Sequence, residues 1–170
     1  MRSSVSKIAV PPASAIVREL PGAYFYDCYA VSLPAAGISA LQIYLNAVGN
    51  TPRWVNALMA LRNWLVALVG LKNLGQLGAL TPDKPVSSYR VGDRVGIFSL
   101  LMLSENEIIL GDSDRHLNVQ VSVCKLGQTQ PQSVAVATVV HVHNRLGRVY
   151  MLFVAPIHRL IAPALLARLG

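Results

Sequence analysis

The amino-acid sequence predicts an α+β fold, an antiparallel sheet of about six or seven strands with its helices grouped on one side. Three observations carry this expectation. The candidate elements run in the order strand, two helices, a meander of strands, and a C-terminal helix. From Val95 onward the apolar residues alternate with period two between turn signals. Finally, 53% of the 170 residues are hydrophobic and only 14% charged, against a usual charged share of about 25%, which supplies ample material for one core.

Residues 1–20 show no sustained period and are expected as a flexible arm ahead of a single domain over 21–170. Pro11 and Pro12 also interrupt "IAVPPASAIV", so the stretch lacks the unbroken apolar centre of a signal peptide. The aromatic, β-branched run "AYFYDCYAVSL" (23–33) reads as the first strand, ended by Pro34 and Gly37. "ISALQIYLNAVG" (38–49) reads as a helix stopped by Gly49 and Asn50. Thr51 as N-cap and Pro52 at the first helical position open a second helix to about residue 69. On it Trp54, Leu58, Leu61, Leu65 and Leu68 recur at helical spacing, which assigns them, with Trp64, to the core.

Residues 70–96 form the main loop region. Gly75 and Gly78 follow no strand and have the wrong spacing for a dinucleotide fingerprint. A further strand is expected over 86–92. The meander then comprises 95–103, 106–110, 116–125, 133–143 and 148–154, separated by Ser104–Glu105, "GDSDR", "GQTQPQ" and "NRLG". Pro156 marks the start of the final helix, which Pro163 bends.

The net charge is +7, and no acidic residue follows Asp114 while Arg115, Lys125, Arg145, Arg148, Arg159 and Arg168 do. These cations are dispersed and the aromatics few, which argues against nucleic acid and leaves peripheral membrane contact open. The apolar stretches 54–71 and 149–169 carry Arg62 and Asn63, and Pro156, His158, Arg159 and Pro163. Neither offers roughly 20 clean apolar residues for a span. Cys28 and Cys124 fit no metal or redox spacing and read as reduced, buried thiols of a cytoplasmic protein.

Four stretches resemble a bacterial family catalogued as a domain of unknown function, number 2867: "PRWVNALMALRNWL" (52–65), "LGDSDRHLNVQVSV" (110–123), "HNRLGRVY" (143–150) and "PIHRLI" (156–161). The resemblance covers the chain from about residue 24 to its end. The element order is similar to the START/Bet v 1-like (SRPBCC) helix-grip fold. That likeness implies a curved sheet wrapped around the C-terminal helix and, by analogy, a hydrophobic ligand.

Alternation divides the strands into two faces. A regular hairpin at "GQTQPQ" makes facing residue numbers sum to about 259, setting His116 opposite His143 and Asn118 opposite His141. A second hairpin at "NRLG" would add Arg148 and Tyr150 to this polar face. The opposite face, with Val119, Val121, Val140, Met151 and Phe153, is expected to bound a core or an apolar cavity, reached also by His158. Histidines spaced i, i+2 can share a metal with a third nitrogen, but no carboxylate except Asp114 is placed to orient the rings. No metal or cofactor is therefore expected. Asp112 and Asp114 read as turn formers rather than an acid/base pair.

The sequence thus points to a small-molecule-binding protein that holds a hydrophobic or lipid-like ligand between sheet and C-terminal helix. One alternative is a cavity enzyme of cyclase, hydratase or isomerase type, with His158, Tyr26 or Tyr29 as acid or base. Another is a peripheral membrane or structural interaction protein. Catalysis and homodimer formation are left open.

Overall fold

The computed structural model describes residues 4–34, 37–67 (65–67 as backbone), 80, 84–127 and 131–169. Its architecture is α+β: seven antiparallel strands in one curved sheet, three α-helices, and the last helix gripped by the sheet. The elements are β1 Val5–Lys7, β2 Phe25–Leu33, α1 Ala40–Gly49, α2 Arg53–Ala67, β3 Arg94–Val95, β4 Phe98–Leu103, β5 Glu107–Ser113, β6 Leu117–Leu126, β7 Gln132–Val142 and α3 Arg145–Leu166. The strand order is β1-β2-β7-β6-β5-β4-β3, so the first long strand lies beside the last.

Register follows from the alternation. Leu117 pairs with Val142, Asn118 with His141 and Val119 with Val140, the sum of 259 that the hairpin at 127–132 requires. The sheet's inner face therefore carries Phe25, Asp27, Tyr29 and Val31 from β2 together with Val136, Thr138 and Val140 from β7. A bulge between Leu100 and Met102 in β4 breaks the ladder to β5 and adds local bend and twist. Gly96, at a φ of 64°, makes the tight β3–β4 turn that a β-branched residue would strain.

The N-terminal segment expected as an arm is packed against the sheet. Val5–Lys7 adds the edge strand on β2, and residues 8–23 cover the outer sheet face. Ile16, in the 3-10 turn Ala15–Glu19, is fully buried against Cys28, Ile109, Ala135 and Ala137. Glu107 is the anchor. Its carboxylate accepts from Ser14 Oγ, from Ser122 Oγ at 2.7 Å and from Ala15 N at 3.0 Å. Local composition hid this, because the tie is a contact of long sequence separation.

Two element expectations are corrected. Residues 86–92 form a 3-10 turn, Val86–Ser88, followed by a turn in which Asp93 accepts from Arg90 N. Tyr89 is buried there. Residues 148–154 belong to α3, which starts at Arg145 rather than at Pro156. "NRLG" is a helix start: Asn144 Oδ1 accepts from Gly147 N at 3.0 Å and caps the first turn. Gly147 and Met151 are buried, and Val154, His158, Ile161 and Leu165 line the interior behind them, a helical period. Pro156 is tolerated inside the helix because its exposed side leaves the carbonyl of Leu152 open to water.

The helix face assigned to the core is also partly wrong. Trp54 is 45% exposed, Leu61 51% and Trp64 62%; α2 instead buries Val55 and turns Leu58 and Met59 inward. Gly75, Gly78 and Leu68 lie outside the described residues.

Candidate functional site

A cavity of about 260 Å³ lies between the inner sheet face and the three helices. Val119, Val121, Val123, Val136 and Val140 form its floor. The helices roof it with Ile43 and Val48 from α1, Leu58 and Met59 from α2, and Met151, Val154, Ile157 and Ile161 from α3. Apolar walls of this kind hold a ligand by area removed from water, about 25 cal/mol per Å².

The polar groups in this lining are few. His158 is aimed inward by α3, and its Nε2 lies 3.3 Å from Asp27 Oδ1. Asp27 is only 3% exposed, and its Oδ2 has no hydrogen-bond partner. A buried carboxylate oxygen left unpaired is costly, which marks the place as more than filler. Phe25 meets the His158 ring edge-on at 5.8 Å and fixes its plane. No other hydrogen bond engages His158 among the described residues, which leaves its Nδ1 open. Tyr44 also lines the cavity; its hydroxyl is buried without a partner, and burial pushes its pKa up. At another part of the lining Arg62 donates to Tyr150 Oη at 2.9 Å and stacks 5.3 Å from its ring centroid.

Of the residues singled out from sequence, Val119, Val121, Val140, Met151 and His158 line this cavity. Phe153 does not. It points outward from α3 and is 69% exposed, because a helix rather than a strand carries it. Tyr29 lies on the inner face, packed in the core, where burial and the charge of Asp27 raise its pKa. Tyr26 has the opposite parity and is 58% exposed, so it has no access to the cavity. Asp27 was missed, although a lone carboxylate sharing a strand face with Phe25 and Tyr29 is a readable signal.

The register sets His116 beside His143 and Asn118 opposite His141 as expected, but the three rings do not converge on one point. His141 Nε2 lies 2.8 Å from the Glu19 carbonyl oxygen, and His141 and His143 line an open recess with Tyr24, Asn118 and Arg148. His116 is buried at the β6 start, where Arg115 Nε donates to its Nε2 at 2.8 Å and its Nδ1 donates to Asn144 Oδ1 at 3.2 Å. Tyr150 sits on the cavity side of α3 and Arg148 on its exposed side, neither on a strand. Among the described residues no three His, Cys, Asp or Glu side chains converge on a metal position.

Asp114 Oδ1 accepts from His116 N and Leu117 N and shapes the turn, whereas Asp112 lies within β5 and pairs with Arg94 at 3.1 Å; both carboxylates border the cavity. Burial pushes the Cys28 and Cys124 thiols up to about 11, with the charges of Asp27 and Glu107 adding to it; both stay protonated and unreactive near neutrality.

No curated protein and no solved structure matches the chain significantly. The family model described as "Protein of unknown function (DUF2867)" matches residues 19–165, a span that takes in β2 through most of α3 and the whole cavity lining up to Leu165. The chain therefore belongs to the DUF2867 family.

Proposed function

We propose that the protein is a carrier of one small hydrophobic or lipid-like molecule, held between the sheet and α3. The observation that carries this reading is the apolar cavity, slightly below the roughly 300–1,000 Å³ of sites for drug-sized ligands. The strand order, with the first long strand beside the last and α3 across the inner face, supports a START/Bet v 1-like (SRPBCC) relation. On this reading the carrier works in a bacterial cytoplasm without a cofactor. The test is titration with the fluorescent probe anilinonaphthalene sulfonate, together with native mass spectrometry of the purified chain. Val121→Trp fills the cavity from its floor and is expected to weaken probe binding by about tenfold or more, the loss of roughly 1.4 kcal/mol or above. Equal probe affinity in both proteins, with unchanged melting temperature, sinks the reading.

The Asp27–His158 pair favours a second reading, an enzyme whose reaction begins with proton removal next to a carbonyl, as in cyclases and isomerases. Asp27 orients the imidazole through Nε2 and leaves Nδ1 to take the proton. Such a base contributes about 10²–10⁴-fold to rate. Incubating the protein in D₂O with enolisable ketones bearing apolar tails is expected to give deuterium exchange, lost in His158→Gln. Absence of exchange across the panel leaves the pair as a ligand-orienting contact.

A further inference from the structure

The geometry points to the outer surface of α2 and α3 as a docking face for an anionic lipid bilayer. α2 exposes Trp54, Ala57, Leu61 and Trp64, spaced i, i+3, i+7 and i+10. α3 exposes Val149, Leu152, Phe153, Pro156 and Leu160, a second stripe at helical spacing, with Leu152 66% and Leu160 68% exposed. The two helices meet at the Arg62–Tyr150 contact and roof the same cavity with their inner sides. An apolar surface of this size left in water calls for an occupant.

Charge decides which occupant. Arg53, Arg145, Arg148 and Arg159 are all exposed on these helices, and neither helix contains a carboxylate. A second copy packed face to face would set these arginines against one another, whereas anionic headgroups complement them. Tryptophan and arginine flanking leucine and phenylalanine is also the composition that settles at a headgroup boundary. Arg145 and Arg148 sit in the first turn of α3, where the helix macrodipole disfavours cations. The macrodipole therefore gives no reason for them.

α3 is long and apolar enough to cross a bilayer by length and composition, with 11% of its most apolar window buried. Its inner side is nevertheless occupied by the sheet and the cavity, and that side carries His158 bound to Asp27. An amphipathic helix so engaged lies in the plane of the interface. This docking does not depend on what the cavity holds.

The experiment is flotation of the full chain with phosphatidylcholine vesicles, with and without phosphatidylglycerol. Emission from Trp54 and Trp64, the protein's two tryptophans, reports insertion. Co-flotation and a blue shift are expected with anionic vesicles alone. Arg145→Glu with Arg148→Glu is expected to reduce partitioning by about tenfold or more, each arginine near the surface counting for roughly fivefold, while the melting temperature holds or rises. Leu152→Glu with Phe153→Glu is expected to abolish the blue shift with the circular dichroism unchanged. Equal binding to neutral vesicles overturns the proposal, as does binding indifferent to both double variants. A concentration-dependent dimer that shields the tryptophans and ignores vesicles overturns it in favour of a second copy.

Discussion

Glu107→Ala is expected to lower stability by about 3 kcal/mol, from the loss of buried hydrogen bonds to a charged group worth about 1.5–3 kcal/mol each, partly recovered among the remaining partners. The carboxylate is 8% exposed and serves Ser14 Oγ, Ser122 Oγ and Ala15 N at once. Its removal takes the acceptor from all three donors; the Ser14 and Ser122 hydroxyls, 3.4 Å apart, can then bond each other, and each donor still orphaned costs about 1–3 kcal/mol. For a chain of this length the drop corresponds to a melting point lower by roughly 10 °C. The loss should be uneven. Residues 8–20 depend on this tie, so limited proteolysis is expected to cut there first, before β2 or β7 is reached. A thermal shift below about 1 kcal/mol, or cleavage starting in the sheet, would refute the anchoring role.

The second large effect is expected at Gly147. A Cβ there would stand 2.5 Å from the His116 carbonyl oxygen and 2.9 Å from Val142 Cγ1. The first contact is with backbone held by the His143 N to His116 O hydrogen bond at 2.8 Å, so it has little room to yield. Helix propensity alone would make Gly147→Ala stabilising by about 1 kcal/mol. The clash outweighs it, since overpacking costs about 1–3 kcal/mol and more where backbone must move. Gly147→Val adds a branched side chain and is expected to lose about 3 kcal/mol or more in urea unfolding. Gly49→Ala is the matched control: nothing lies within 4 Å of its Cβ, and it should be neutral to stabilising. If Gly147→Val melts with the wild type, the start of α3 is not docked against His116 and Val142 as described.

The β6–β7 register was legible because alternation and one hairpin determine it, and a slip by one residue would have buried Asn118 and His141. α3 was not legible at its start. "VYMLFV" has strong strand propensity, and the alternative is decided by the Asn144 cap, a local signal that was passed over, and by the fit of Gly147 against His116, which lies outside a local window. Pro156 misled in the same place, since a proline on the solvent side of a long helix breaks a bond that water can replace. The cavity floor could be read from the period of β6 and β7. The Asp27–His158 pair joins residues far apart in sequence, and only the β2–β7 pairing brings them together.

That same pairing sets the order of events during synthesis. β2 joins β7 along its whole length, from Phe25 opposite Val140 to Leu33 opposite Gln132. Two helices and four strands are translated between the two partners. At about 5–20 residues per second, the apolar side of β2 waits roughly ten seconds for its neighbour to leave the ribosome. Closing a loop of about a hundred residues is affordable at equilibrium, because its entropy grows only with the logarithm of length. In time it is slow, as for other sheets built from distant pairings. The β2–β7 pairing therefore cannot form until β7 has left the ribosome, and until then the apolar side of β2 is the kind of surface that holdase chaperones receive.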